Sequence, residues 1–392
     1  MHLTTEEEHI YDGEEGWAYQ TAMRILVKLG DLFGATHLIP IESAHISGVS
    51  YKTMGDAAIE FVEALAQAGA KAKVPSTINP AGLDYNRLTE MPVSSKVKEK
   101  QAKIISLYRT MGINPILTCT PYYIKKPAQG VHVAWAESST VIYANSILDA
   151  WTNREGGPSA LAAALIGKTP DYGMHRPENR KANIAVKVET ELENEAQYGA
   201  LGAYLGKTLK DKIPAFEGLA HPREEDLKQL GAALASTGMT SIFYPCQSCP
   251  KSVKRLETVR VGRDELKESM ESLSTTDEQP DMVYIGCPHC SFSEVKRVAE
   301  TIEGRKVKND VKLWVCTSRY VKERAEFDVA TIEAAGGKVV SDTCAVVTWL
   351  KKLGVDTLMT NSAKTAYYAP TMNKVKVRFG SLRECIDAAC TR

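Results

Sequence analysis

Apolar positions first recur at helical spacing. Ala18, Ala22, Ile25, Leu26 and Leu29 share one face between about 15 and 32 and predict an amphipathic helix. Ahead of it, Thr4 or Thr5 can cap a run with glutamates in its first turn, where negative charge suits the helix dipole. An alternation then begins. Strands are predicted at 36–41 (THLIPI), 71–75 (KAKVP) and 114–119 (NPILTC). Helices are predicted between them at 55–69 and 94–112, ended by Gly69 and Gly112. This βαβαβ order implies parallel strands with right-handed crossovers. The same order returns near the C-terminus, with strands at 281–286, 311–316, 337–341 and 355–360 and helices at 291–304, 320–335 and 345–353. The middle reads as more helical, at 158–167, 193–206 and 224–237, with one apolar strand at 239–244. The linker-like stretches 214–226 and 272–280 suggest three parts: an N-terminal α/β lobe 1–210, a middle segment 211–275 and a C-terminal α/β lobe 276–392.

Bulk properties narrow the class. A chain of 392 residues with 44% apolar content can bury the cores of two or three domains. Basic and acidic residues balance at 48 each, which points to neither a nucleic-acid surface nor an acidic tail. The acidic N-terminus has no apolar segment of a signal peptide, and no apolar run nears the roughly 18 residues of a membrane span. Nine cysteines scattered over this length do not read as a disulfide framework. A cytoplasmic protein with thiols, some of them ligands, is expected.

Three of those thiols, Cys119, Cys287 and Cys344, fall just past predicted strands. In open α/β sheets, ligands bind beyond the carboxyl ends of the strands. Three thiolates meeting there would leave a fourth metal position open, as in a metal or iron–sulfur centre that binds substrate. Three unrelated core thiols are the competing reading. Proline follows closely in Cys119-Thr-Pro and Cys287-Pro, which stiffens a ligand loop. Two CxxC pairs, Cys246–Cys249 and Cys287–Cys290, also match a zinc pattern, although their separation exceeds the usual ribbon spacing, and either could be a redox pair. Cys316, Cys385 and Cys390 read as ordinary core or surface thiols.

Other loops carry polar groups at the same predicted edges. The run from Ser43 to Ser50, with Gly48, Val49 and Ser50 at its end, precedes a helix and can cradle an anion. Asn79, Pro80 and Gly82 follow the next strand, where a plain turn is the alternative. Glu137 beside Ser138 and Ser139 can serve acid–base chemistry or be an exposed loop carboxylate. Arg154 can hold a carboxylate, and Lys364 can be a point charge for a phosphate or simply begin a surface helix.

These residues together resemble the large, catalytic subunit of the aconitase X family, and within it the archaeal dehydratases of phosphomevalonate. The resemblance rests on SAHISGVSY, STINPAGLD, CTPYY, ESSTVIYANSILDAWTNREGGPSALAAALIGKTP, GCPH, and SDTC followed by NSAKTAYY. It implies an aconitase-like multi-domain fold of three-layer α/β/α lobes. It implies a [4Fe–4S] cluster on Cys119, Cys287 and Cys344. Substrate contacts would fall on Gly48, Val49, Ser50, Asn79, Pro80 and Lys364, with Glu137 and Ser138 in the catalytic set. The swivelling domain of aconitases, absent from this reading of the chain, would arrive on a separate small subunit with the proton-abstracting serine. The implied reaction removes water from (R)-5-phosphomevalonate to give trans-anhydromevalonate 5-phosphate. Alternatives are dehydration of another small hydroxy acid, such as cis-3-hydroxyproline, and a non-enzymatic zinc- or cluster-binding module. PCQSCPKS at 245–252 departs from the family pattern and leaves a second metal or a disulfide open.

Overall fold

A computed structural model of the chain describes residues 1–245 and 253–391. Cys246 and Cys249 lie outside the described residues. Contacts divide the chain into two units. The first holds residues 1–81 and 93–181, and the second holds 82–92 and 182–392.

Unit 1 runs α1 (Thr5–Asp12), α2 (Trp17–Leu32), β1 (Leu38–Pro40), β2 (Ala44–Ile46), α3 (Tyr51–Gln67), β3 (Ser76–Ile78), α4 (Ser95–Thr110), β4 (Ala134–Trp135), α5 (Ser138–Ser146), α6 (Gly157–Ile166) and β5 (Lys168–Pro170). Thr4 caps α1 through a reciprocal capping box with Glu7, so the acidic first turn sits where sequence placed it. A three-stranded parallel sheet, in order β3-β2-β4, forms the centre. The helix α6 packs on β2 and α2 and is buried from Ala160 to Ile166. An antiparallel ribbon joins β1 and β5.

Two predicted strands shift or dissolve here. The strand expected at 71–75 forms a few residues later, as β3. The stretch 114–119 is not a strand: Asn114 makes one bridge to Thr77, and the ladder stops. Pro115 has no backbone donor, and Leu117 takes a left-handed φ of 50° that turns the chain. Cys119 therefore sits in a loop before a 3₁₀ turn, Pro121–Tyr123, rather than at a strand end.

Unit 2 contains two parallel sheets. The first comprises β6 (Ile184–Val188), α7 (Glu195–Leu209), β7 (Pro214–Glu217), α8 (Glu224–Thr237), β8 (Tyr244–Pro245), β9 (Thr258–Val261) and α9 (Arg263–Ser272), with strand order β8-β7-β6-β9. The second comprises β10 (Met282–Cys290), α10 (Phe292–Ile302), β11 (Lys312–Thr317), α11 (Arg319–Arg324), α12 (Glu326–Ala334), β12 (Lys338–Val340), β13 (Thr357–Thr360), α13 (Ala363–Asn373), β14 (Lys376–Phe379) and α14 (Leu382–Ala389), ordered β12-β11-β10-β13-β14. The central strand β10 is buried along its whole length, as expected of a parallel sheet covered on both faces.

The middle of the chain is thus not mainly helical. It has its own parallel sheet, whose strands are two to five residues long and hard to read by periodicity. The expected strand at 239–244 is loop until Tyr244, although Ile242 and Phe243 are buried. Helix 345–353 is a 3₁₀ turn, Leu350–Leu353. Helix 320–335 breaks into α11 and α12 at Ala325, whose φ and ψ of −105° and 34° leave the helical region. No helix among the described residues is long and apolar enough to cross a membrane. The architecture is mixed α/β with mostly parallel sheets, as the sequence predicts.

Glycines let α7 lie against α8. A Cβ built on Gly202 would stand 2.3 Å from the Leu230 carbonyl oxygen, and one on Gly206 would stand 2.8 Å from that of Leu234. Backbone atoms in a packed interior cannot move away cheaply. Gly202→Val is therefore expected to destabilise the protein by about 2–3 kcal/mol or more, read as a lowered urea midpoint, whereas Gly69→Ala on open surface costs less.

Candidate functional site

In unit 1 the parallel strands β2, β3 and β4 run out toward one edge, and each is followed by a polar loop. After β2 comes Ser47-Gly48-Val49-Ser50. Gly48 has a φ of 73°, a conformation that favours glycine. Val49 and Ser50 are buried, and Ser50 is the N-cap of α3. Buried Gln101 of α4 fixes this turn: its amide nitrogen donates to the Val49 carbonyl at 2.9 Å, and its oxygen accepts from the Tyr51 amide at 2.6 Å. The first turn of α3 is set off from the rest by Gly55, whose φ of 69° and ψ of −174° are not helical.

After β3 comes Asn79, buried with its neighbour Pro80. After β4 comes Glu137, the N-cap of α5, with Ser138 and Ser139 in the first turn. These loops meet. The Asn79 amide nitrogen donates to Glu137 Oε2 at 2.8 Å, and the hydroxyls of Ser138 and Ser139 lie 3.4 Å from Glu137 Oε1. Behind them, His45 in the middle of β2 bonds Asn79 Oδ1 through Nε2 at 3.2 Å and Thr77 Oγ1 through Nδ1 at 2.8 Å. His45 is fully buried, and that burial holds its pKa down to about 4, against smaller upward effects from Asn79 and Glu137. The same α5 turn reaches the first candidate thiol loop: Thr140 donates to the Cys119 carbonyl at 2.6 Å.

In unit 2 the five parallel strands all deliver their carboxyl ends to one edge of the sheet. Cys287 lies within β10, after Gly286 and before a cis bond to Pro288, where pairing to β11 shifts register between Ile285 and Cys290. Cys344 follows β12 in the loop Ser341-Asp342-Thr343-Cys344. Lys364 follows β13, buried in the first turn of α13. Tyr284 ties the first two together. Its buried phenol is pushed well above the usual range by burial, and further by the thiols of Cys316, Cys344 and Cys287. The Cys316 thiol donates to the Thr343 carbonyl at 2.9 Å, and His289 Nε2 donates to the same oxygen at 2.8 Å.

The Cys344 loop is held in an unusual shape. Asp342 is completely buried with a φ of 63°. Arg319 grips its Oδ2, donating from Nε at 2.8 Å, and Asp84 accepts from the Ser341 amide at 3.1 Å. Burial raises the Asp342 carboxyl to about 6 despite the arginine. Asp84 belongs to the segment 82–92, which is anchored throughout unit 2: Arg87 pairs with Glu333 at 2.6 Å, and Lys338 pairs with Glu90.

Thiolates are soft donors of the kind that hold iron–sulfur clusters; of the three candidates, Cys119 belongs to unit 1 and Cys287 and Cys344 to unit 2. Cys119 and Cys287 are buried and Cys344 is partly exposed. On the Cys344 loop, the hydroxyls of Ser341 and Thr343 are buried with no hydrogen-bond partner. Unpartnered donors beside the Cys344 thiol are what cluster sulfurs would engage, so the residues of this loop fit such a group. Within neither unit do three described Cys, His, Asp or Glu side chains already surround one metal-sized point. Full burial pushes the Cys290 thiol far above its ordinary range.

The sequence picked out Asn79, Glu137 and Ser138, which the structure brings together, and Cys287 and Cys344, which share Tyr284. It did not find Tyr284, Thr77 or the linking role of His45. Each of these lies inside a strand, where apolar context gives no sign of a polar partner.

The chain matches the aconitase X first domain over residues 1–178, the second domain over 182–271 and the third over 280–391. It is 46% identical to the phosphomevalonate dehydratase large subunit of Methanocaldococcus jannaschii, covering 98% of this chain and 99% of that one. It is 36% identical to the cis-3-hydroxy-L-proline dehydratase of Pseudomonas aeruginosa, covering 96% of this chain but 68% of that one. The crystal structure of Thermococcus kodakaraensis aconitase X, a holo-form, superposes with a TM-score of 0.92 at 44% identity, over 99% of this chain and 100% of that one. With its three domains matched in order and its whole length shared, the chain belongs to the aconitase X family.

Proposed function

We propose that this chain is the large, catalytic subunit of a hydro-lyase that removes water from (R)-5-phosphomevalonate, giving trans-anhydromevalonate 5-phosphate on the archaeal mevalonate route to isoprenoids. The observation that carries this reading is similarity to phosphomevalonate dehydratase large subunits along essentially their full length. The hydroxyproline dehydratase is less similar and extends well beyond the shared region. Relatives designated as large subunits argue for a small partner. That partner would carry the swivelling domain and the serine that abstracts the substrate proton. A cytoplasmic setting is part of this reading.

Cys119, Cys287 and Cys344 would hold a [4Fe–4S] cluster. When bound, such a group supplies a Lewis acid that polarises a hydroxyl without redox change. The remaining work falls to side chains. Gly48, Val49 and Ser50 would present backbone groups to an anionic part of the substrate, with Pro80 closing the adjacent loop and Lys364 adding a positive charge. Asn79 and Ser138 would hydrogen-bond substrate oxygens. Glu137 would pass a proton to the departing hydroxyl.

Purified anaerobically with its small partner, the protein is expected to turn over (R)-5-phosphomevalonate and to act on cis-3-hydroxyproline at least 100-fold less efficiently. The reverse preference, measured on the same preparation, overturns the substrate assignment. Cys→Ser at 119, 287 or 344 is expected to remove the brown colour, most of the iron and the activity. Cys→Ser at 290, and at 246 or 249, is expected to leave iron and sulfide content near wild type; equal loss in this second set would return the zinc or redox reading. Glu137→Gln should lower kcat by about 100-fold or more, and a change of only a few-fold would remove Glu137 from the catalytic set.

A further inference from the structure

His45 has no part in the chemistry above, yet it stands directly behind Glu137. The hydrogen-bond directions along this line follow from which atoms can only accept. A carboxylate oxygen accepts, so the Asn79 group facing Glu137 Oε2 at 2.8 Å is the amide nitrogen. The amide oxygen then faces His45, and an oxygen can only accept. His45 Nε2, at 3.2 Å, must therefore carry the ring proton. Nδ1 is left as a lone pair, and the Thr77 hydroxyl 2.8 Å away donates to it. Both ring nitrogens are engaged, the ring is fully buried with its side against Trp135, and so it stays neutral.

We infer that His45 is a positioning residue. As the neutral Nε2–H tautomer it locks the Asn79 amide, which in turn fixes the Glu137 carboxyl through Oε2. The inference rests on the assignment of Glu137 to the catalytic set. It adds a fixed orientation of the carboxyl: Oε2 accepts from the Asn79 amide, and the hydroxyls of Ser138 and Ser139 lie 3.4 Å from Oε1. It also removes His45 as a general base, because a base needs a free lone pair facing substrate. Without the ring, the Asn79 amide can rotate and the carboxyl can swing, which costs turnover more than binding.

The test begins with the wild-type protein and needs no substrate. Histidine ring ¹⁵N spectra resolve eight residues, and His45 is assigned by its disappearance in His45→Gln. The expected signal is the neutral Nε2–H form, unchanged between pH 5.5 and 8. An Nδ1–H form, which would require the whole line of hydrogen bonds to run the other way, or a ring that charges within this range, overturns the inference. The second arm uses the complete enzyme with its small partner. His45→Leu is expected to lower kcat by about 10-fold or more with KM within about 3-fold, while His45→Gln, which keeps a side-chain N–H, recovers most of the loss. Equal kcat values for the two variants, or a loss confined to KM, also overturns it. If His45→Leu does not fold, the wild-type spectrum still decides. Failure of wild type to turn over phosphomevalonate would sink the proposed function and leave the tautomer result standing.

Discussion

Parallel strand pairing is the constraint on which the rest of this structure depends. In a parallel sheet every strand delivers its carboxyl end to the same edge, so the loops that follow are gathered whatever their separation in sequence. In unit 1 this brings Asn79 to Glu137, 58 residues apart. In unit 2 it places the loops carrying Cys287, Cys344 and Lys364 along one sheet edge. The crossovers impose the short turns, and the turns impose left-handed backbone at Gly48 and Asp342. The polar groups are thus delivered by architecture, and local chemistry only trims their aim.

That trimming has an electrostatic cost which the neighbouring groups offset. A buried imidazole, a buried amide and a half-buried carboxyl are each unfavourable alone. Joined as Thr77, His45, Asn79 and Glu137, every atom at a junction has a partner of the right kind. The Cys344 loop is handled differently. Asp342 is satisfied on one oxygen by Arg319 and left unsatisfied on the other, and the hydroxyls beside it are also without partners. One polar network is complete in itself, and the other has unused donors where thiols gather.

Much of this was legible in the sequence for physical reasons that can be traced to residues. Gly69 and Gly112 ended their helices in left-handed turns because the periodic pattern stopped where a Cβ-free residue stood. The first half of the central strand β10 was visible as the apolar run Met282–Ile285, while its second half, with Pro288 and His289, was not. The strand ending in Cys119 was not real, because burial can be mistaken for pairing: Leu117 and Thr118 are buried without belonging to a ladder. The sheet of the second domain escaped notice because its strands are short and begin or end on residues such as Pro214 and Pro245 that weaken a strand signal. Within the site, loop residues announced themselves through hydroxyls, amides and carboxyls. Strand residues did not: His45 lies between Ala44 and Ile46, and nothing local says that it faces an asparagine 34 positions away.

The segment 82–92 has a bearing on how this protein can be divided. It leaves unit 1 after Ala81, is pinned in unit 2 by Asp84, Arg87 and Glu90, and re-enters unit 1 at Val93. The backbone therefore passes from one body to the other three times, and the family boundary near 180 is only the last of these passages. A fragment stopped there would keep an eleven-residue excursion whose ion pairs to Glu333 and Lys338, and whose Asp84 contact to the Ser341 amide, lie in the discarded half. Evolutionary modularity and folding autonomy part company at this point: the first domain is a unit of descent, while the strap makes the intact chain the unit of stability.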